Sequence, residues 1–218
     1  VVDPKARLYC YPIMQGKYLV GGPINNGGIV YNWAHDAIFG PEQETAKLLK
    51  RNSYDLLTDI AATVPAGAGG LLFHPYLGGE RAPLWDANAR GSFFGLNRQH
   101  TRAHMARAVL EGIVCNLYMT TISLVEVAGD PKDILVAGGF VQSALGRQIM
   151  ADVYEHEITI PESYESGCLA AMFLAKISLG LESDLSGINK YIGKEKKYQP
   201  NEENYLAYRE LIPIFIRL

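Results

Sequence analysis

Two glycine pairs carry the chemistry that this chain can offer. The first lies in Ile134–Asp152, ILVAGGFVQSALGRQIMAD, where a buried strand runs into Gly138-Gly139, a turn and a helix opening near Ser143. Residues without Cβ let another molecule lie against the backbone, and a helix start beside them presents unpaired N–H donors. Such a place suits a phosphate or a nucleotide. The second pair, in GGPINNGGIVYNW from Gly21, follows the same plan: a strand, glycines, then a helix start bearing Gly28 and Asn32. Tight turns and close helix packing also call for glycine, so each pair alone leaves both readings open. Two of them in one α/β chain favour a phosphate- or nucleotide-binding crevice. Neither is a Walker A loop, because no Gly-Lys-Ser/Thr follows. Neither reads G-x-G-x-x-G with a ribose-binding acid beyond it, which disfavours a dinucleotide-dependent oxidoreductase.

The remaining candidates are weaker. His100 and His104 share a helical spacing that could hold a metal, but no third ligand is signalled nearby and no metal site is expected. Glu80, Arg81 and Asp86 cluster in GGERAPLWD, where paired carboxylates could do acid–base work. A loop broken by Gly and Pro is expected instead to spend such groups on its own ion pairs and turn hydrogen bonds. Trp33 and Trp85 read as packing residues. No Ser-His-Asp or Cys-His arrangement has local support, so no catalytic side chain is assigned.

These groups need elements to hold them. Lys17–Gly22 reads as a short strand, and Gly28–Ile38 as a helix with Ile29, Trp33 and Ala37 on one face. Gly40-Pro41 separates it from one amphipathic helix over Glu44–Ile60, and PAGAGG from Pro65 is a loop. Between Leu71 and Leu96 short apolar pieces alternate with Pro and Gly, as in strands joined by irregular turns. Thr101 is placed to cap a long helix reaching Val127, which Gly129-Asp130-Pro131 ends. Strand Ile134–Ala137, helix Ser143–Tyr154, strand Glu157–Ile160 and helix Ser166–Leu179 follow, with Gly180 as a stop. That order predicts an α/β layer with parallel pairing. A polar tail starts at Lys190, and Asn201–Leu218 closes as a helix.

Bulk properties narrow the class. The 218 residues are 48% hydrophobic and 20% charged, which suits a globular core, and the net charge of −3 gives no field toward nucleic acid or an acidic membrane. The run Gly193–Lys197, GKEKK, is short enough to be a solvated loop. Cys10, Cys115 and Cys168 form no CxxC pair, which speaks for a reducing compartment. No signal peptide and no apolar run long enough for a bilayer are read, so a cytoplasmic location is expected. The opening VVDPKARLYC has no Met, no cap and no obvious first element, as in a cut within a longer polypeptide.

Gly91–Glu111, GSFFGLNRQHTRAHMARAVLE, resembles the C-terminal signature of the FGGY carbohydrate kinases. Its small, aromatic, aliphatic and acidic places are filled by Gly91, Phe93, Gly95, Leu96, His104, Met105, Ala108, Val109, Leu110 and Glu111. YLGGERAPLWDANARGSFFGL looks like the family's GERxPxWD loop, and LVAGGFVQSALGRQIMAD like its adenosine-binding turn, with Gln148 and Ala151-Asp152 in place. SYESGCLAAMFLA is similar to its small-residue helix, with Cys168 in place of an alanine.

The resemblance implies an α/β fold: one actin-like/ribonuclease-H-like ATPase lobe with a mixed sheet flanked by helices, occupying residues 1–218. It implies that Gly138 and Gly139 lie against the adenosine of ATP, with Gln142 or Ser143 reaching the adenine edge. Gly28 and Asn32 would approach the phosphates. Mg²⁺ would be held mainly by the nucleotide and by an N-terminal lobe absent from this chain. That lobe would also bring the sugar or sugar acid, the DxGT-like phosphate loop and the Asp general base, so the chain alone is expected to be inactive. ATP and ADP are the implied ligands, with neither nucleic acid nor membrane as a partner, and a homodimer stays open. GGPINNGGIV with FHPYLGGERAPLWD is most like the gluconate-phosphorylating members, then the xylulose-phosphorylating ones. A non-catalytic actin-like interaction module is the alternative.

Overall fold

The computed structural model describes all residues except 1, 139–142, 162–165, 192 and 194. Its organising element is a 27-residue helix, α4 (Arg102–Ala128), around which the other elements are laid. Ala106, Ala108, Val109, Leu110, Ile113, Val114 and Cys115 are all buried, so this helix is apolar on nearly every side. By length and composition it could cross a membrane, which corrects the expectation that no such run exists. Yet 67% of its apolar window is covered by the protein itself. It is used as a core helix.

Before α4 come the hairpin β1 (Tyr9–Met14) and β2 (Lys17–Gly21), then helices α1 (Gly28–Ala37), α2 (Gly40–Leu49) and α3 (Ser53–Ala62). Strands β3 (Leu72–His74) and β4 (Ser92–Phe94) pair antiparallel. β3 crosses α4 so tightly that a Cβ on Gly112 would stand 2.0 Å from the Phe73 carbonyl oxygen. Only glycine permits that contact.

After α4 the chain alternates: β5 (Ile134–Leu135), α5 (Ala144–Tyr154), β6 (Ile158–Pro161) and α6 (Ser166–Ser178). β7 (Glu195–Tyr198) and α7 (Glu202–Arg217) complete it. β5 and β6 are parallel, as the strand–helix–strand pattern predicts, while β7 adds antiparallel to β6. The three strands therefore form a mixed sheet beside the helices.

Several sequence expectations change. The helix read over Glu44–Ile60 is two helices, because Lys50 takes a left-handed conformation (φ 51°) and Asn52 starts α3 by accepting from Tyr54 N at 2.8 Å and Asp55 N at 3.2 Å. The apolar period alone could not show this break. The buried face of α1 is Val30 and Ala34, whereas Ile29 is 69% exposed and Trp33 half-buried against Phe73. β1 and β7 were not anticipated, since their residues are too polar or too exposed for a strand pattern.

The N-terminal segment also has a fixed anchor. Asp3 accepts from Arg7 N at 2.7 Å and Arg7 Nε at 3.1 Å, and Arg7 reaches Glu126 of α4 at 2.7 Å. Trp85 Nε1 donates to the Arg7 carbonyl at 3.0 Å. The Arg7 side chain holds the Asp3 carboxyl down, from an ordinary 3.8 to about 2. A carboxyl depressed in the folded state stabilises fully above its unfolded value, and the effect is lost as pH falls through the folded one. Asp3→Asn is therefore expected to lower the urea midpoint at pH 6, with the gap from the parent protein closing between about pH 4 and pH 2. A gap unchanged across that range would show that the anchor contributes nothing.

Candidate functional site

A cleft of about 540 Å³ opens between the starts of three helices. Gly27, Gly28, Tyr31 and Asn32 come from the first turns of α1, and Asn52, Tyr54, Asp55 and Thr58 from α3. Ala137, Gly138 and Ser143 close it from the segment between β5 and α5, and Leu110 and Leu117 of α4 make its apolar floor. The volume is in the range of small-molecule sites.

The three helix starts are not equivalent. Asn52 caps α3, and Ser143 Oγ caps α5 by accepting from Gly146 N at 2.9 Å. α1 begins at Gly27, which has no side chain, and no side-chain cap is made there. Val30 N donates to the Gly27 carbonyl at 3.0 Å, and no acceptor among the described residues takes the N–H groups of Gly28 and Ile29, which stand at the positive end of the helix dipole beside the cleft. A Cβ on Gly28 would meet nothing within 4 Å. At Gly138 φ is +106°, in the region that favours glycine, and the space beside it is likewise open.

Of the residues singled out from sequence, Gly28, Asn32, Gly138 and Ser143 meet at this one cleft, although more than 100 positions separate the two glycine segments. Gly139 and Gln142 lie outside the described residues. The α3 wall was missed. Its one signal was Asn52 ahead of Ser-Tyr-Asp, an N-cap hidden inside an amphipathic run.

The other candidates have structural work. Glu80 is 2% exposed and accepts four hydrogen bonds: Asn25 N at 2.6 Å, Arg81 N at 2.8 Å, Asn26 Nδ2 at 2.8 Å and Asn116 Nδ2 at 2.7 Å. It clamps the loop that leads into Gly27 and Gly28 onto α4. Asp86 exchanges backbone hydrogen bonds with Glu80 and turns the chain through Asn88 N at 2.7 Å. His104 Nδ1 accepts from Thr101 N at 3.3 Å at the start of α4, and His100 Nε2 donates to the Gly69 carbonyl at 3.2 Å. Trp85 is half exposed, tethered through its indole N–H.

Residues 2–179 match the C-terminal domain of the FGGY family of carbohydrate kinases. The chain belongs to that family. Among its relatives is the gluconokinase of Bacillus licheniformis, 46% identical over 99% of this chain and 42% of that protein. Two solved structures from Lactobacillus acidophilus, titled gluconate kinase and ligand-bound xylulose kinase, superpose with a TM-score of 0.88. Each is 44% identical, covering all of this chain and 42% of the other. These neighbours are FGGY kinases of actin-like ATPase fold, which assigns the mixed sheet and flanking helices to that architecture. The chain spans about two fifths of the length of these relatives.

Within this FGGY domain, replacing Glu80 by Ala leaves the Asn116 amide buried without its acceptor and takes one of two acceptors from Asn26 Nδ2, which keeps the Gly79 carbonyl at 2.6 Å. The expected loss is about 3 kcal/mol in urea unfolding. Glu80→Gln should lose less, because one amide oxygen still accepts. Equal and small losses in both would mean that the clamp is dispensable.

Proposed function

We propose that this chain is the nucleotide-binding lobe of a carbohydrate kinase that transfers the γ-phosphate of ATP to a hydroxyl of gluconate. The observation that carries the reading is the uncapped start of α1 at Gly27-Gly28, opening into a cleft shared with Gly138 and Ser143. Backbone N–H donors at a helix start suit phosphate oxygens, and Asn32, one turn on, adds a polar side chain beside them. Gly138 and Gly139 would lie against the adenosine. The Ser143 hydroxyl, whose oxygen caps α5, keeps its O–H to give to the nucleotide, and Gln142 would serve the same end.

Phosphoryl transfer depends on positioning and charge stabilisation. The sugar oxygen attacks the γ-phosphorus, the bond to the β-phosphate oxygen breaks, and ADP leaves. The hydroxyl proton goes to a base that we assign, with the sugar pocket, to the rest of a relative-length polypeptide. Mg²⁺, where bound, neutralises phosphate charge. No group of three or more His, Cys, Asp or Glu side chains suited to a metal occurs among the described residues. In this reading the chain contributes the nucleotide's contacts, and the ion is held by the phosphates and by the rest of the longer polypeptide. A reducing, cytoplasmic setting goes with this reading and with the buried Cys115 thiol.

Gluconate is favoured by the 46% identity to a gluconokinase, and xylulose is the second candidate because one of the two 44%-identical structures is titled a xylulose kinase. ADP release measured on the full-length polypeptide with each sugar separates them: turnover should be much faster with gluconate, and a preference for xylulose would reverse the assignment. The 218-residue chain alone should bind ATP without sugar-dependent ADP release. Steady turnover by the purified chain, removed by a substitution within it, would refute the division of labour.

Gly28→Ala tests the phosphate contact. The new methyl enters open space, so stability should change by under about 1 kcal/mol. The KM for ATP should nevertheless rise about tenfold or more while the KM for the sugar is kept. An unchanged KM for ATP would place the phosphates elsewhere.

A further inference from the structure

Ser53, His35 and Asp36 meet beside the cleft, and we infer that they form a nucleophile, a base and an orienting acid that take an acyl group from small activated esters. The inference goes beyond the nucleotide reading and does not depend on it.

His35 Nε2 stands 2.8 Å from Ser53 Oγ, and His35 Nδ1 stands 2.6 Å from Asp36 Oδ1. The Asp36 carboxylate can only accept, so Nδ1 carries the ring's proton. In the neutral ring Nε2 then keeps its lone pair, and the Ser53 hydroxyl donates to it. That is the polarity a general base needs. The ring is fixed from two sides. Tyr54 stacks on it with centroids 4.1 Å apart and planes 11° from parallel, and Gln43 Nε2 donates to the His35 carbonyl at 2.6 Å. His35 and Ser53 are 18 positions apart, so no local pattern could disclose the arrangement.

His35 is buried, whereas Ser53 is half-buried and Asp36 exposed. Ser53 is the first residue of α3, where the positive end of the helix favours an oxygen that gives up its proton. No acceptor among the described residues takes the Ser53 N–H, which is available to a carbonyl oxygen as it turns negative. Asn52 and Tyr54, on either side of Ser53, line the cleft, and His35 follows Tyr31 and Asn32 by one turn of α1. The constellation therefore borders the cleft, and the half-buried hydroxyl restricts the ester to a small one.

Ser53 Oγ attacks the ester carbonyl carbon while its proton passes to His35 Nε2. The bond to the alcohol oxygen then breaks, the alcohol leaves with that proton, and the acyl group stays on Ser53. Water, deprotonated by the same nitrogen, releases the acid and restores the hydroxyl. Asp36 is a positioning residue.

The test adds p-nitrophenyl acetate to the 218-residue chain, follows release of p-nitrophenolate, and maps the acetyl group by mass spectrometry after an acid quench. The parent should react about a hundredfold faster than Ser53→Ala and carry the acetyl group on Ser53. His35→Gln should fall to the Ser53→Ala rate. Asp36→Asn should be slower by about tenfold or more, and Asp36→Glu, which keeps a carboxylate, should recover most of that loss. Equal rates in the parent and Ser53→Ala, or acetylation confined to other residues, overturn the assignment. So does an Asp36→Asn rate equal to the parent's. The amide spectrum of each variant reports folding, and Ser53→Ala, which removes only a hydroxyl, decides the matter if His35→Gln does not fold.

Discussion

A helix buried on almost every side has to settle its polar side chains inside the protein, and α4 does so at two carboxylates. Glu111, fully inside, accepts from Arg107 Nε at 2.6 Å, from the Tyr208 hydroxyl at 2.7 Å and from Gly67 N at 3.0 Å. Burial pushes its carboxyl up, and Arg107 pulls the other way. That knot ties α7 and the loop before β3 to the helix. Further along, Asn116 donates to Glu80, and through Glu80 α4 reaches Asn25 and Asn26. An ion-paired core of this kind is strongly destabilised when one partner is removed, because the other stays buried without it. Both tethers fall inside the buried stretch of α4, which runs from Ala106 to Ser123.

The cleft inherits its shape from that arrangement. Leu110 precedes Glu111 and Leu117 follows Asn116, so the floor of the cleft is made by neighbours of the two tethering residues. Asn26 precedes Gly27, so the clamp on Glu80 ends one residue before the uncapped helix start. The polar network is thus the support that holds backbone donors in place, which matters when recognition relies on main-chain groups. Glu80 and Asn116 earn their burial as supports, and neither lines the cleft.

The glycine segments were legible because they combine local signals: a β-like run, residues without side chains, and a helix start. Ser143 as an N-cap and Thr101 before α4 were readable for the same reason. What sequence could not disclose is contact between distant segments. The face of α1 was misassigned because Ile29 and Trp33 look like core residues, whereas Ile29 faces solvent and the core takes Val30 and Ala34. The α2–α3 break rests on one left-handed lysine, a conformation no local pattern specifies. Glu80 looked like a loop carboxylate, and its four donors include Asn26 and Asn116, which lie far from it along the chain. The wall of α3 became visible only when α1, α3 and α5 were seen to start at one place.

Those three starts also explain why so few reactive side chains are found here. Helix N-termini are fixed positive partial charges that need no protonation and do not reorient on binding. A triphosphate brings its own negative charge, so the matching surface can be built from peptide groups and glycines. The one carboxylate residue in the lining, Asp55, sits in the first turn of α3, where the positive end of that helix favours an acid. The cleft thus gathers the starts of α1, α3 and α5, with Asn52 and Ser143 capping the last two. Under the proposed function, a surface fixed before any sugar is engaged is what a transfer reaction would require of the part that holds the phosphate donor.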